Sequence, residues 1–236
     1  MAMLRSLLFN LGFFAWTLLI VVLGLPCLML PRRFTYRLGA FWVRVSLALL
    51  RRLVGLDHRI VGAEHRLPGP AIYAVKHQSA WDTLVFALLL DEPAYVLKRE
   101  LIFVPFFGWL LRRAGMIPVD RAGRASALRR MIGQAKRTAA EGRPLLIYPE
   151  GTRTAPGQHR PYQPGVAALY GQLGLPVVPV ALNSGLFWGR RQFVKRPGTI
   201  TVEFLPAIPP RLPRKTFMAE LEQRLEGASA RLARAA

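Results

Sequence analysis

Short apolar segments alternate with amphipathic segments along most of the chain. Four apolar runs, each bounded by glycine or proline, predict buried strands, and a fifth segment, in which apolar and polar residues alternate, predicts an edge strand. The predicted buried strands are Ala71–Val75, Met116–Val119, Leu145–Tyr148 and Val177–Leu182, and the predicted edge strand is Thr199–Leu205.

Helices are predicted between these strands and after the last one. They cover Ser79–Leu90, Pro105–Arg113, Arg124–Glu141 and Pro164–Gln172, and a final helix carries Phe217, Leu221, Leu225, Ala228 and Leu232 at helical spacing. Strands that alternate with helices are typical of an α/β fold, so we expect a largely parallel or mixed sheet flanked by helices.

The N-terminal part of the chain has a different pattern. No charged residue occurs in the 26 positions from Ser6 to Pro31. As a helix, this segment would be about 39 Å long, which exceeds the roughly 30 Å hydrocarbon core of a bilayer. It could span a membrane, or bend at Pro26 and stay in one leaflet. A cleaved signal peptide is the alternative, but the run is long for one and no small-x-small site ends it. The pattern favours a retained membrane anchor.

The next segment, Arg33–Leu53, is amphipathic when wound as a helix. Four arginines lie within about 40° of one another, opposite an apolar stripe that includes a tryptophan. The arginines are Arg33, Arg37, Arg44 and Arg51, and the apolar stripe is Leu38, Trp42, Val45, Leu49 and Leu53. Such a helix suits a lipid headgroup region or, alternatively, the surface of a soluble domain. We therefore expect a membrane-associated segment over residues 1–54 and a catalytic domain over residues 55–236.

Charge and composition narrow the class of partner. The formal net charge is +20, yet 52% of the residues are hydrophobic, which excludes a disordered basic tail. The single cysteine, Cys27, excludes a disulfide framework and a cysteine-based zinc site. The charge favours polyanionic partners: nucleic acid, anionic lipid, an acidic protein or a phosphate substrate. Because Arg32, Arg33 and Arg37 outnumber Arg5, the positive-inside rule predicts that the downstream domain lies in the cytoplasm.

Candidate catalytic residues follow the first predicted strand. Ser79-x-x-Asp82 reads as a capping box, so the helix should begin after Ser79. His77 would then lie on the turn before the helix, and Asp82, in its first turn, could reach back to the imidazole. Such a pair is a base with a carboxylate that orients it, although a capping aspartate beside an unrelated histidine gives the same spacing.

Further candidates follow two other predicted strands. Arg121 comes after the second strand, and Tyr148-Pro149-Glu150-Gly151-Thr152-Arg153 comes after the third. Gly151 would let the backbone approach a ligand closely, and the planar guanidinium of Arg153 suits phosphate oxygens. Ligands bind at this edge of open α/β sheets, so we expect these side chains to meet the histidine and the aspartate there.

The order of these residues resembles the four-block signature of glycerolipid acyltransferases. The blocks are His77-x4-Asp82, Gly115 to Arg121, Pro149-Glu150-Gly151-Thr152-Arg153 and Val178-Pro179-Val180. Lys76 stands where many members have asparagine, Pro118 where the second block often has an aromatic residue, and Tyr148 where phenylalanine is common. These departures concern the acceptor lipid rather than the reaction class.

The resemblance implies a reaction in which His77, held by Asp82, deprotonates the sn-2 hydroxyl of 1-acyl-sn-glycerol-3-phosphate (lysophosphatidic acid). The hydroxyl oxygen would then attack the thioester of acyl carrier protein or coenzyme A, which gives phosphatidic acid for phospholipid biosynthesis.

The resemblance also assigns binding roles. Acceptor-phosphate binding would fall to Arg121, Glu150, Gly151, Thr152 and Arg153, with Glu150 orienting a neighbouring arginine, and Lys98 is a further phosphate candidate. Val178-Pro179-Val180 would shape the acyl pocket or simply form a core strand. The implied location is the cytoplasmic face of the bacterial inner membrane, against anionic lipid.

The residues themselves agree with direct acyl transfer. The chain has no Gly-x-Ser-x-Gly elbow, and Cys27 lies in the predicted anchor. No His-Glu-x-x-His or similar spacing occurs, so we expect neither a catalytic metal nor a resident cofactor.

Two alternatives stay open. One is an acyltransferase for another lysolipid, such as lyso-ornithine lipid. The other is a non-catalytic membrane-attached protein that binds lipid or nucleic acid; we expect no nucleic-acid partner, because no basic-aromatic signature or zinc finger occurs.

Overall fold

A computed structural model describes residues 1–120 and 123–235. Within these residues, seven strands form one sheet in the order β1-β7-β6-β2-β5-β3-β4. The strands are β1 Leu56–Val61, β2 Ile72–Val75, β3 Ala94–Lys98, β4 Ile117–Val119, β5 Leu145–Ile147, β6 Val177–Leu182 and β7 Gly198–Phe204. The α-helices are α1 Ala2–Leu23, α2 Arg32–Val54, α3 Asp82–Leu89, α4 Phe107–Arg113, α5 Arg124–Ala140, α6 Pro164–Leu173 and α7 Arg214–Arg234. The expected α/β fold with helices around a mixed sheet is confirmed.

The pairing of the strands brings five strand ends together. All neighbouring strands are parallel except β6 and β7, which are antiparallel. Strands β2, β3, β4, β5 and β6 therefore end at the same edge of the sheet. The segments that the sequence singled out after β2, β4 and β5 all leave from this edge.

Helices cover both faces of the sheet. On β2, Tyr73 and Val75 join one buried cluster with residues of α2 and α3, whereas Ile72 and Ala74 join a second with α5, α6 and α7. Because both faces are buried, the central strands read as continuous apolar runs rather than alternating ones. This is why their sequences were recognisable.

The outer part of the sheet differs from expectation. The segment Thr199–Leu205 was predicted to be an edge strand, but β7 lies between β1 and β6, with Ile200 and Val202 fully buried. Its outer neighbour β1 was not predicted, because polar residues such as Asp57 and Arg59 interrupt its apolar pattern; these side chains are tolerable on an edge strand. The polar-ended strand β3 was also missed. The other strands and helices have the predicted type, with ends shifted by a few residues.

The N-terminal helices pack on the domain. α1 lies along α2, where Trp16 donates to the Trp42 carbonyl at 3.2 Å and Trp42 donates to the Thr17 hydroxyl at 3.0 Å. Phe9 is buried with its ring edge-on to Trp188, with ring centres 5.5 Å apart. The inner face of α2 is part of the main core through Val43, Leu47, Leu50 and Val54.

The outward face of α2 is basic, whereas that of α1 is mainly apolar. Arg33, Arg37, Arg44 and Arg51 are exposed on α2, as the helical pattern predicted. The predicted apolar stripe of α2 is half-buried, and the fully buried face is turned slightly from it. On α1 the exposed side chains other than Arg5 are apolar, and they include Leu4, Leu7, Leu8, Leu11, Phe14, Leu18, Leu19, Val22 and Leu23. Among the described residues, α1 alone is long and apolar enough to cross a bilayer. The division at residue 54 stays a prediction.

Candidate active site

His77 and Asp82 come together where β2 meets α3. The helix begins at Asp82, three residues later than the predicted start, and its N-cap residue is Trp81 rather than the predicted Ser79. The Asp82 carboxylate reaches back and accepts the Ser79 N–H at 2.7 Å, and the Ser79 hydroxyl accepts the Trp81 N–H at 3.1 Å. This turn places Asp82 beneath the loop that carries His77.

The two side chains form a hydrogen-bonded pair. His77 Nδ1 lies 3.1 Å from Asp82 Oδ2, and the imidazole is 11% exposed. Because a carboxylate only accepts, this geometry assigns the ring proton to Nδ1 and leaves Nε2 able to take a proton. The arrangement is that of a general base with its orienting acid.

Asp82 is fully buried and bonded at both oxygens. Besides His77 and Ser79, its Oδ2 accepts the Gln78 N–H at 2.6 Å, and its Oδ1 accepts a short hydrogen bond from the Ser184 hydroxyl. A buried carboxylate with four donors cannot rotate without losing one of them. The imidazole is therefore held in one orientation.

Ser184 and Tyr148 also take part in this site, and neither was predicted to do so from the sequence. Ser184 follows the end of β6, which is the signal that could have identified it. The Tyr148 ring stacks on His77 with centres 4.0 Å apart, and its hydroxyl donates to the Asp82 carbonyl at 2.9 Å. Burial raises the pKa of Tyr148 well above its usual value, so this hydroxyl stays a neutral donor. Tyr148 thus covers one face of the imidazole.

Glu150 binds the histidine loop. Its Oε2 accepts the His77 N–H at 2.9 Å, and its Oε1 lies 2.8 Å from Lys76 Nζ. Burial raises the pKa of Glu150, while Lys76 and the His77 N–H oppose that rise. The sequence predicted that Glu150 orients an arginine; among the described residues its charged partner is a lysine.

The rest of the β5 loop supports the candidate phosphate site in part. Gly151 adopts φ +65°, and a Cβ there would approach the Gln163 side chain to 2.9 Å, so the turn itself requires glycine. Thr152 and Arg153 are half-buried, and Arg153 forms no ion pair with any described residue. The N–H of the next residue, Thr154, donates to the His77 carbonyl at 2.8 Å, so the backbone that follows Arg153 lies against the His77 loop.

The remaining predicted residues are more distant or not described. Lys98 ends β3, is half-exposed, and pairs with Glu100 at 3.2 Å. Its strand is two positions from β2, about 10 Å across the sheet. Arg121 lies outside the described residues. Val178 and Val180 are fully buried core residues of β6, which favours the core-strand interpretation of that block. The described residues contain no cluster of side chains suited to a metal ion.

Comparisons with known proteins point to one family. The family model described as "Acyltransferase" matches residues 58–183. A 1-acyl-sn-glycerol-3-phosphate acyltransferase of Pseudomonas aeruginosa is 36% identical over 198 residues, which cover 84% of this chain and 77% of the relative. The human 1-acyl-sn-glycerol-3-phosphate acyltransferase beta is 31% identical over 142 residues, or 59% of this chain and 51% of that protein.

A solved structure has the same fold. The crystal structure of the 1-acyl-sn-glycerophosphate acyltransferase PlsC from Thermotoga maritima superposes with a TM-score of 0.79 over 98% of this chain and 99% of that one. The two sequences are 18% identical, so this similarity concerns the fold alone.

Proposed function

Because this chain belongs to the acyltransferase family, we propose that it transfers a fatty acyl chain from an acyl thioester to the sn-2 hydroxyl of 1-acyl-sn-glycerol-3-phosphate. The product is phosphatidic acid. The observation that carries the proposal is the His77–Asp82 pair, in which Nδ1 and Oδ2 are 3.1 Å apart. The pair lies at the edge of the sheet where five strands end.

The pair supplies the proton transfers of the reaction. His77 Nε2 takes the proton of the acceptor hydroxyl as its oxygen attacks the thioester carbonyl. The new C–O bond forms, the C–S bond breaks, and the imidazolium returns its proton to the departing thiolate. Asp82 stabilises the imidazolium between these two steps. The acyl group passes directly to the acceptor, so this mechanism uses no protein nucleophile, metal or resident cofactor.

The acyl donor in this proposal is acyl carrier protein or coenzyme A, each carrying the acyl group as a thioester. The formal net charge of +20 favours association with acidic acyl carrier protein, with coenzyme A phosphates and with anionic lipid. We assign the acceptor phosphate to Arg153, because its neighbour Thr154 is hydrogen-bonded to the His77 carbonyl and because Arg153 has no carboxylate partner among the described residues.

The acceptor is tested with Arg153 variants and two lysolipids. Charge-assisted hydrogen bonds contribute about 1.5–3 kcal/mol, so Arg153→Ala should lower kcat/KM for lysophosphatidic acid about 10- to 100-fold. The kcat/KM of Arg153→Lys should lie between those of the wild type and Arg153→Ala, because lysine keeps the charge and loses the planar guanidinium. Monoacylglycerol, which has no phosphate, should react poorly with the wild type, and its kcat/KM should hardly change in either Arg153 variant.

Arg214→Ala is the matched control, since Arg214 is exposed at the start of α7, near the opposite edge of the sheet. Equal losses with both acceptors would make Arg153 a structural or donor-side residue. If the wild type used a phosphate-free lysolipid as efficiently as lysophosphatidic acid, the alternative acceptor, lyso-ornithine lipid, would be favoured.

The same proposal places the enzyme at the membrane that holds its substrate. α1 is buried near both of its ends, at Phe9 and at Ile20 and Val21, so one face packs on the protein along its length. The opposite, apolar face is exposed. We propose that this face enters a single leaflet, on the cytoplasmic side of the inner membrane, while the arginines of α2 suit anionic headgroups.

Attachment should therefore resist salt and depend on the outer face of α1. At about 1 M salt the Debye length is roughly 3 Å, which weakens surface-charge binding but not apolar insertion. We expect the chain to stay in the membrane fraction after such a wash, and the variant Leu11→Glu/Leu18→Glu to be released. Val61→Glu, a change at another exposed apolar residue, is the control and should stay bound. Release of the wild type by salt would contradict the apolar anchor.

A further inference from the structure

A buried lysine lies directly behind the candidate base. Lys76 follows β2 and precedes His77, and its side chain is 2% exposed. Its Nζ lies 2.8 Å from Glu150 Oε1, and 2.7 Å and 2.8 Å from the two carboxylate oxygens of Glu226 on α7. The Tyr162 hydroxyl donates to Glu226 at 2.8 Å.

These contacts connect three segments that are distant along the chain: the end of β2, the loop between β5 and α6, and α7. A buried ammonium is strongly disfavoured unless carboxylates offset its lost hydration. Lys76 has two such partners: it donates hydrogen bonds to Glu226 and forms an ion pair with Glu150. It is therefore unsuited to binding a substrate phosphate.

The network bears on catalysis through Glu150. The carboxylate that pairs with Lys76 through Oε1 also accepts the His77 backbone N–H through Oε2. His77 is thus held twice, by Asp82 at its ring and by Glu150 at its backbone. Without the ammonium, Glu150 would be a buried carboxylate without its counter-charge, and the backbone restraint on His77 would weaken.

We propose that Lys76 is a positioning residue for His77, acting through Glu150, and that Glu226 together with Tyr162 stabilises Lys76 in that role. The inference rests on the proposed function only in taking His77 as the base. It extends the site to α7, which no block of the family signature includes.

The test compares Lys76→Met and Glu226→Gln with the wild type. Misplacing a base by a fraction of an ångström should lower kcat about 10- to 100-fold in Lys76→Met and less in Glu226→Gln, with KM for the acceptor nearly unchanged. Glu222→Gln is the matched control, because Glu222 lies one turn earlier on α7 and pairs instead with the half-exposed His159.

The pH profile provides a readout that a purely structural role would not move. Glu150 is faced by Lys76 and the His77 N–H, which lower its pKa, and by Glu226 and burial, which raise it. Removing Lys76 should raise the pKa of Glu150 further. The neutral form of Glu150 would then persist to higher pH. The acid limb of the pH profile of kcat should therefore shift to higher pH in Lys76→Met and stay in place in Glu222→Gln.

Hydrogen exchange at the His77 amide gives a readout independent of turnover. The proposal expects the His77 amide to exchange faster than in the wild type in both Lys76→Met and Glu226→Gln, and at the wild-type rate in Glu222→Gln. The melting temperature of each variant is measured alongside. If Lys76→Met does not fold, kcat and His77 amide exchange in Glu226→Gln provide the test. The proposal is overturned if a folded variant keeps both the wild-type kcat and the His77 amide protection, or if only KM changes. A wild type that transfers no acyl group would instead refute the proposed function, and the exchange result would still stand.

Discussion

Replacing His77 with alanine should leave a folded protein whose kcat for acyl transfer is about 10²- to 10⁴-fold lower, the usual contribution of a general base. The imidazole is the one group in the described pocket with a ring nitrogen held by a carboxylate and a second nitrogen available for a proton. Its loss should change KM little, because the base acts mainly in the transition state. Initial rates with lysophosphatidic acid and an acyl thioester, together with a thermal melt, measure both effects.

The control for this change is His65→Ala. His65 follows β1, whose end lies at the opposite edge of the sheet, and its ring is near Glu64 at the long distance of 3.9 Å. It should keep wild-type activity. A folded His77→Ala protein with less than about a tenfold loss would show that another group takes the proton.

Changing Asp82 to asparagine should impair both activity and stability. The buried carboxylate accepts from His77, the Gln78 and Ser79 amides, and the Ser184 hydroxyl. In asparagine, one carboxylate oxygen is replaced by an NH₂ group, which cannot accept the hydrogen bonds made to that oxygen. We therefore expect a loss of about 1–3 kcal/mol in the free energy of unfolding. Activity should fall at least about 10²-fold, because the imidazole loses its orientation and the imidazolium its counter-charge.

Two further variants separate the catalytic effect from the loss of stability. Asp57→Asn, at a half-exposed aspartate on β1, should change neither quantity appreciably. The double variant His77→Ala/Asp82→Asn should be about as slow as His77→Ala alone, since residues that act as a unit are not additive. Strictly additive losses would mean that Asp82 acts independently of His77.

The local features of the site could be predicted from the sequence. The capping pattern around Ser79 and Asp82 depends on residues three positions apart, so it indicated where the histidine and the carboxylate would meet. The central strands were recognisable because burial on both faces demands continuous apolar runs. The uncharged N-terminal run and the arginine face of α2 followed from composition and helical period alone.

Only the tertiary structure decided which distant residues complete the site. Ser184 reaches Asp82 across 102 positions and Glu226 reaches Lys76 across 150, because β6 lies beside β2 and α7 packs behind both. A serine after a strand or a glutamate on a helix has no local pattern that names its partner. The same holds for β1, a polar strand that covers β7 and makes it internal. Helix caps and apolar periods are set by neighbours along the chain, whereas strand order and buried ion pairs are set by packing in space.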